Sequence, residues 1–262
     1  MDTITAHDLP KEERGIAYHL EAESYKKLGR RDKAARAYLA SSELKTAAQG
    51  KLADYSNYLL NLSYGTHAEE DLLRAAKGYG SLLAGIQPLT HAKAAHRHAR
   101  LRVGYISPDF CRHVVACFAL PFFRHADRAV FEVYGYMIGA ADAETREFAA
   151  LADHFCDLSA LPPKRAAQRI DADEIDILVD LSGHTGGNAL PILAYKPAPI
   201  LVSGIGYFRT TGLPAVDYFL TDEHLAPAGE EAYFTEKLLR LPESHWCYEP
   251  LAGTPPTAPA PF

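Results

Sequence analysis

From Gly15 to Leu83 the apolar positions recur at helical spacing; beyond Leu101 they gather into short apolar runs separated by helical stretches. In the first region Tyr18, Tyr25 and Leu28 share one helical face, which breaks at Leu28-Gly29-Arg30-Arg31-Asp32. Ala34, Tyr38 and Ser41 mark the face of a second, antiparallel helix, where the small side chains of Ala34 and Ala37 permit close approach. Lys51–Leu83 continues helical, with Tyr55, Tyr58, Leu59, Leu62 and Tyr64 on a broad apolar face. The expectation is a flexible N-terminus over 1–14 and an all-α helical arm over 15–98.

The second region alternates strand and helix. Strands are predicted at Arg102–Ser107, Phe131–Ile138, His154–Leu158, Ile175–Leu181, Ile200–Ile205 and Tyr218–Thr221. Between them, helices are predicted to open near His113, to cover Asp142–Ala152, to run from Leu161-Pro162-Pro163 to about Ile170, and to end near Tyr195. Such alternation predicts an α/β domain over 99–250, with a mainly parallel sheet and helices on both faces. Residues 251–262, LAGTPPTAPAPF, read as a proline-rich linker or tail.

Composition narrows the classes. The 262 residues carry a net charge of −6, which argues against a general nucleic-acid binder or a membrane-surface protein. The one basic cluster, His91–Arg102, is short and reads as a solvated connector. Cys111, Cys117, Cys156 and Cys247 have no spacing of a disulfide framework, and free thiols fit a reducing, cytoplasmic setting. Cys111-x-His113-x3-Cys117 has a superficial metal-ligand spacing, but no second cluster completes a tetrahedral set, so no metal is expected. The first residues form no signal peptide, and no apolar run is long enough to span a membrane.

Candidate chemistry lies where strands end. Ser107–His113, Ser182–Asn188 and Gly206–Gly212 each follow a predicted strand, and parallel strands bring such exits to one edge. In Ser182–Asn188 small residues let a ligand approach the backbone, and the following helix start offers N–H groups to an anion. His184 could hydrogen-bond a hydroxyl or phosphate, although a lone loop histidine is more often a structural or capping group, and the same holds for His113 taken alone. No dinucleotide fingerprint, P-loop, nucleophile elbow or zinc signature is present.

Taken together, RVGYISPDF with His113, DILVDLSGHTGGN, Gly206–Asp222 with its TTGLPAVDYFLTD run, and EKLLRLPESHWCY resemble the O-linked N-acetylglucosamine transferase/SPINDLY-type glycosyltransferases (glycosyltransferase family 41). The order and spacing match over roughly residues 50–250. The first helical pair, with Gly29 at its turn, resembles one degenerate tetratricopeptide repeat, which that family carries ahead of its catalytic region. The resemblance implies a Rossmann-like first domain of a GT-B design, whose second domain supplies most of the nucleotide-sugar grip. It further implies inverting, metal-independent transfer of N-acetylglucosamine from UDP-GlcNAc to Ser or Thr of a protein, with no cofactor. A complementing second glycosyltransferase domain is then an expected partner, and the chain alone is expected to be inactive. By motif position His113 is the implied catalytic residue, and Asp109, His184, Thr185, Gly206, Thr210 and Thr211 the implied substrate-binding set. The chain departs from the family at Gly206-Tyr207-Phe208-Arg209, where Gly-Tyr-Pro-Gly is usual; an arginine there implies a narrower acceptor cleft or an added phosphate contact. A non-catalytic protein-binding module, or a different GT-B-like sugar-nucleotide enzyme, are the alternative readings.

Overall fold

The computed structural model describes residues 9–91 and 98–249. The proline-rich 251–262 segment and the middle of the basic cluster lie outside the described residues. Four helices come first: α1 (Lys11–Lys27), α2 (Arg31–Leu44), α3 (Ala48–Leu62) and α4 (Glu69–Leu82). The first begins at Lys11, inside the stretch expected to be flexible. The helical stretch expected over Lys51–Leu83 is made of two helices with a turn between them at Gly65, where an added Cβ would stand 2.5 Å from the His67 ring.

A seven-stranded sheet follows, all its paired strands parallel: β1 (Leu101–Ser107), β2 (Phe131–Met137), β3 (His154–Asp157), β4 (Ile177–Asp180), β5 (Ile200–Ser203), β6 (Tyr218–Asp222) and β7 (Lys237–Leu241). Strand β7 was not foreseen. It pairs only with β6, and an edge strand with charged Lys237 and Arg240 lacks the apolar run that marks a central one. Helices α5 (Val114–Arg124), α6 (Thr145–Leu151), α7 (Pro163–Ala172) and α8 (Leu190–Leu193) fall at the predicted places. The last is a single turn.

The spatial order is β3-β2-β1-β4-β5-β6-β7. The chain moves outward from β1 to β3, then crosses back to start β4 on the other side of β1. The order therefore reverses between β1 and β4, and beyond the carboxyl ends of those two strands an open α/β sheet offers its ligand crevice. Phe110, Leu120, Phe123, Phe148 and Val133 fill the face covered by α5 and α6. The opposite face buries Ile106, Leu178, Ile170, Leu193 and Leu201 together with Leu59 of α3 and Tyr79 of α4. The helical arm is thus divided. Helices α1 and α2 close on their own small cluster of Ala22, Ala34, Ala37 and Tyr38, while α3 and α4 complete the core of the sheet domain.

Candidate active site

The β1 exit is built to hold one turn rigidly. Ser107, fully buried, receives the Asp109 amide on its Oγ at 3.0 Å and the Ile138 amide on its carbonyl at 3.1 Å, which ties the β1 and β2 exits together. Phe110 anchors the turn among Phe123, Phe148 and Phe155. Beyond it Arg112 locks to the β2 exit, its amide to Asp142 at 2.7 Å and its guanidinium to Glu144 at 2.9 Å. The chain then enters α5 with His113 as N-cap, whose Nδ1 accepts the Val115 amide at 3.3 Å. The same nitrogen lies 3.6 Å from Asp109 Oδ2, and the imidazole is 45% exposed against 16% for that carboxylate. Burial raises the Asp109 carboxyl above its ordinary range, the His113 charge opposes the rise, and Asp180 adds to it.

At the β4 exit the fully buried Asp180 carboxylate organises the turn. It accepts from the Ser182 amide (3.1 Å) and Oγ (2.6 Å), the Gly183 amide (2.9 Å) and Ser203 Oγ of β5 (2.7 Å). Its pKa is raised by burial, against the pull of those four donors. Gly183 takes φ +53°, and a Cβ there would come within 2.4 Å of Tyr207, so only glycine fits. Thr185 turns inward, its amide and Oγ1 both on the Ser182 carbonyl at 3.1 and 2.9 Å. Gly186 and Gly187 are exposed at the crest, and Gly187 stands opposite Pro108 of the β1 exit. The expected anion site at the next helix start does not materialise: α8 has four residues, and the Leu190 amide is already used by Asn188 Oδ1 at 3.2 Å.

His184 points the other way. It is fully buried, with Nδ1 3.0 Å from Ser56 Oγ of α3 and Nε2 2.8 Å from the Thr211 carbonyl. Tyr79 and Tyr207 meet its ring edge-on at 4.7 and 5.2 Å. Burial pushes its pKa down to about 4, with the Thr211 carbonyl opposing, so near neutral pH the ring is uncharged and its Nε2–H donates to Thr211.

The Gly206–Gly212 loop also turns to the arm. Gly206 packs on the Leu181 carbonyl, which a Cβ would approach to 2.3 Å. Tyr207 reaches Ser63 Oγ at 3.0 Å. Thr210 Oγ1 donates to Glu236 Oε2 at 2.6 Å, and the Thr211 amide to Oε1 at 2.8 Å, all three residues being buried. Arg209, the departure from the family pattern, pairs with Glu69 at the start of α4 rather than facing the crevice. A double-mutant cycle on this pair should give a coupling of about 0.2–1 kcal/mol, the range for solvent-accessible ion pairs.

Of the residues singled out from sequence, then, Asp109, His113 and the Thr185 turn meet at the switch point between β1 and β4. His184, Thr210 and Thr211 are brought together instead at the joint between sheet and arm, with Gly206 beneath them. Sequence reasoning missed Asp180, although a carboxylate closing an apolar strand before Ser-Gly was a usable signal. Glu236 and Ser56 carried none, because their partners are distant in sequence. Also missed was Asp222, which caps the β6 exit and receives the His245 amide at 2.9 Å and ring Nδ1 at 2.5 Å. Those bonds, the His245 amide foremost, hold its carboxyl far below the usual range. The pair turns the chain back over α5, where Trp246 and Tyr248 flank Phe118 at 4.9 and 5.7 Å and stay exposed.

A parallel α/β domain with its crevice at the switch point, a histidine–carboxylate pair on one side and a glycine turn on the other, is the class of fold and site in hand. Residues 82–249 match the model of glycosyl transferase family 41. SPINDLY of Oryza sativa subsp. japonica, a probable UDP-N-acetylglucosamine–peptide N-acetylglucosaminyltransferase, is 36% identical over 215 residues, covering 78% of this chain and 23% of the relative. The corresponding SEC protein of Arabidopsis thaliana is 37% identical over 171 residues, covering 63% of this chain and 17% of its own length. The solved structure of an O-GlcNAc transferase mutant from Thermobaculum terrenum superposes with a TM-score of 0.85 at 28% identity, over 94% of this chain and 48% of that one. The chain belongs to glycosyltransferase family 41. It spans about a quarter of the length of the SPINDLY relatives and about half of the solved transferase.

Proposed function

We propose that this chain is the N-terminal half of the catalytic region of a protein O-glycosyltransferase. It would carry N-acetylglucosamine from UDP-GlcNAc to a Ser or Thr hydroxyl of a protein, with inversion and without a metal, in the cytoplasm. The observation that supports this most is the Asp109–His113 pair on the β1 exit of a family-41 domain, with Gly187 of the β4 exit facing Pro108 of the same turn across the switch point.

The reaction asks for three things: a hydroxyl held in line with the anomeric carbon, a place for its proton, and charge stabilisation of the departing UDP. As the hydroxyl oxygen bonds to the anomeric carbon, the bond from that carbon to the diphosphate oxygen breaks. UDP leaves with the electron pair. His113 suits the proton, because its ring sits at the mouth of the crevice. Acting as base through Nε2 requires the proton to be on Nδ1, where Asp109, 3.6 Å away, can receive it. In the resting tautomer Nδ1 caps α5 and the ring proton is on Nε2, so base chemistry requires that proton to be given up to solvent from Nε2 and one taken up on Nδ1, together with a rotation of the half-exposed ring from the Val115 amide toward Asp109. The UDP grip falls to the second domain that longer family members carry.

The test is transfer of labelled GlcNAc from UDP-GlcNAc to a Ser/Thr peptide, by the purified chain alone and with a separately produced donor-binding half of a longer relative. The expected result is no transfer alone and transfer on combination. Robust turnover by the chain alone would overturn the half-site reading, and donor hydrolysis or epimerisation without acceptor modification would overturn the protein-transferase reading.

A further inference from the structure

The helical arm touches the sheet domain through more than apolar packing. Ser56, in the middle of α3, is 3% exposed and contacts both ends of the β4 exit loop. Its Oγ lies 3.0 Å from His184 Nδ1 and accepts from Asn188 Nδ2 at 3.2 Å. Every hydrogen in this chain of bonds has one consistent direction. Asn188 also donates to the Thr185 carbonyl at 3.0 Å while its Oδ1 accepts the Leu190 amide, so its orientation is fixed. His184 gives Nε2–H to Thr211, which leaves Nδ1 to accept the Ser56 hydroxyl proton. Thr211 is in turn held by Glu236 through its amide and hydroxyl. One hydroxyl of the arm thus stands between two residues that bracket Thr185-Gly186-Gly187, and the network runs on to the loop after β5.

We infer that Ser56 is a positioning residue for the transfer site: through His184 and Asn188 it sets the conformation of the Thr185–Gly187 crest, which gives α3 a part in shaping the site as well as in packing the core. The physical reason is that these bonds depend on one another. Buried donors and acceptors left unpaired are costly, so the loop conformation that satisfies all of them at once is favoured over others with equal apolar packing. Within the crest Thr185 is tied to the Ser182 carbonyl, but Gly186 and Gly187 are exposed, with Gly187 at φ +70°, and depend on the anchors at His184 and Asn188 on either side. Removing the Ser56 hydroxyl leaves His184 Nδ1 without its donor and takes from the Asn188 amide one of its two acceptors, at the two ends of that crest.

The inference rests on the strand exits being the transfer site only for its catalytic consequence; its physical content is tested without any transfer assay, so the two can fail separately. Ser56→Ala and Ser56→Thr are compared with the unmodified chain by amide hydrogen exchange at Gly183 and Thr185 and by ¹⁵N relaxation at Gly186 and Gly187. In Ser56→Ala, exchange at Gly183 and Thr185 should rise about tenfold relative to the β1 amides of Val103–Ile106, as expected when one buried hydrogen bond no longer restrains local opening. Ser56→Thr, which keeps the hydroxyl, should restore it. Unchanged exchange, or an equal rise in β1, would overturn the proposal. If Ser56→Ala does not fold, the unmodified chain still decides. The ¹⁵N signals of His184 should report a neutral ring protonated on Nε2 at pH 5.5, and a ring protonated on Nδ1 or already charged there would overturn it.

Discussion

Replacing His113 by alanine should lower sugar transfer by roughly 10²–10⁴-fold, the usual contribution of a positioned acid–base group, with little loss of stability. The separation of the two effects follows from where the residue sits. Its ring is 45% exposed and makes one long capping bond at 3.3 Å, so its removal costs about 1 kcal/mol or less of helix stability. His184, the other histidine of the strand-exit motifs, is sealed behind the loop and cannot stand in for it. The experiment is steady-state transfer by the chain combined with a donor-binding half, alongside thermal melting of both forms. His113→Asn, which can still cap α5, should melt like the unmodified chain and be as inactive as the alanine variant. Transfer retained in either variant would remove His113 from the chemistry and leave it as a cap.

The second large effect is on stability against pH. Because His184 is buried uncharged with a pKa near 4, the folded chain refuses a proton that the unfolded chain takes up near pH 6.5. Between those values the unfolded state binds more protons, so stability falls as the pH falls from about 6.5 to about 4 and is level below that on this group's account. A displacement of that size corresponds to about 3 kcal/mol across the interval. Urea unfolding at pH 7, 6 and 5 should therefore show a fall in the unmodified chain that flattens in His184→Gln, whose amide can occupy both hydrogen-bonding positions but does not titrate. Parallel curves for the two proteins would show that the ring is charged, or reached by water, in the folded state. The arm is expected to loosen first on acidification, since protonation of Nδ1 removes the acceptor for the Ser56 hydroxyl.

The two histidines show how far the sequence carried the site. Both follow strands, both sit in family motifs, and nothing local separates them. His113 and Asp109 are four residues apart on one exit turn, a spacing that already brings a ring and a carboxylate within reach of each other. The role of His184 depends instead on Ser56, Tyr79 and Thr211, which approach it from three other parts of the chain. Thr210 and Thr211 have the same history: a Thr-Thr-Gly run after a strand looks like a ligand loop until Glu236 of the β7 entry takes its hydroxyls. Arg209 could be read as a phosphate contact only while Glu69 was out of view.

By itself the sequence determined the parallel α/β class, six of the seven strands, the helical arm ahead of them and the family. These follow from short-range periodicity and from motifs whose order is linear in the chain. Only the tertiary structure decided that α3 and α4 belong to the sheet domain's core, that an edge strand closes the sheet, and which motif residues face the crevice. Those outcomes depend on burial and hydrogen-bond satisfaction between segments far apart in sequence, where a polar side chain reads the same whether it awaits a ligand or a partner from its own chain.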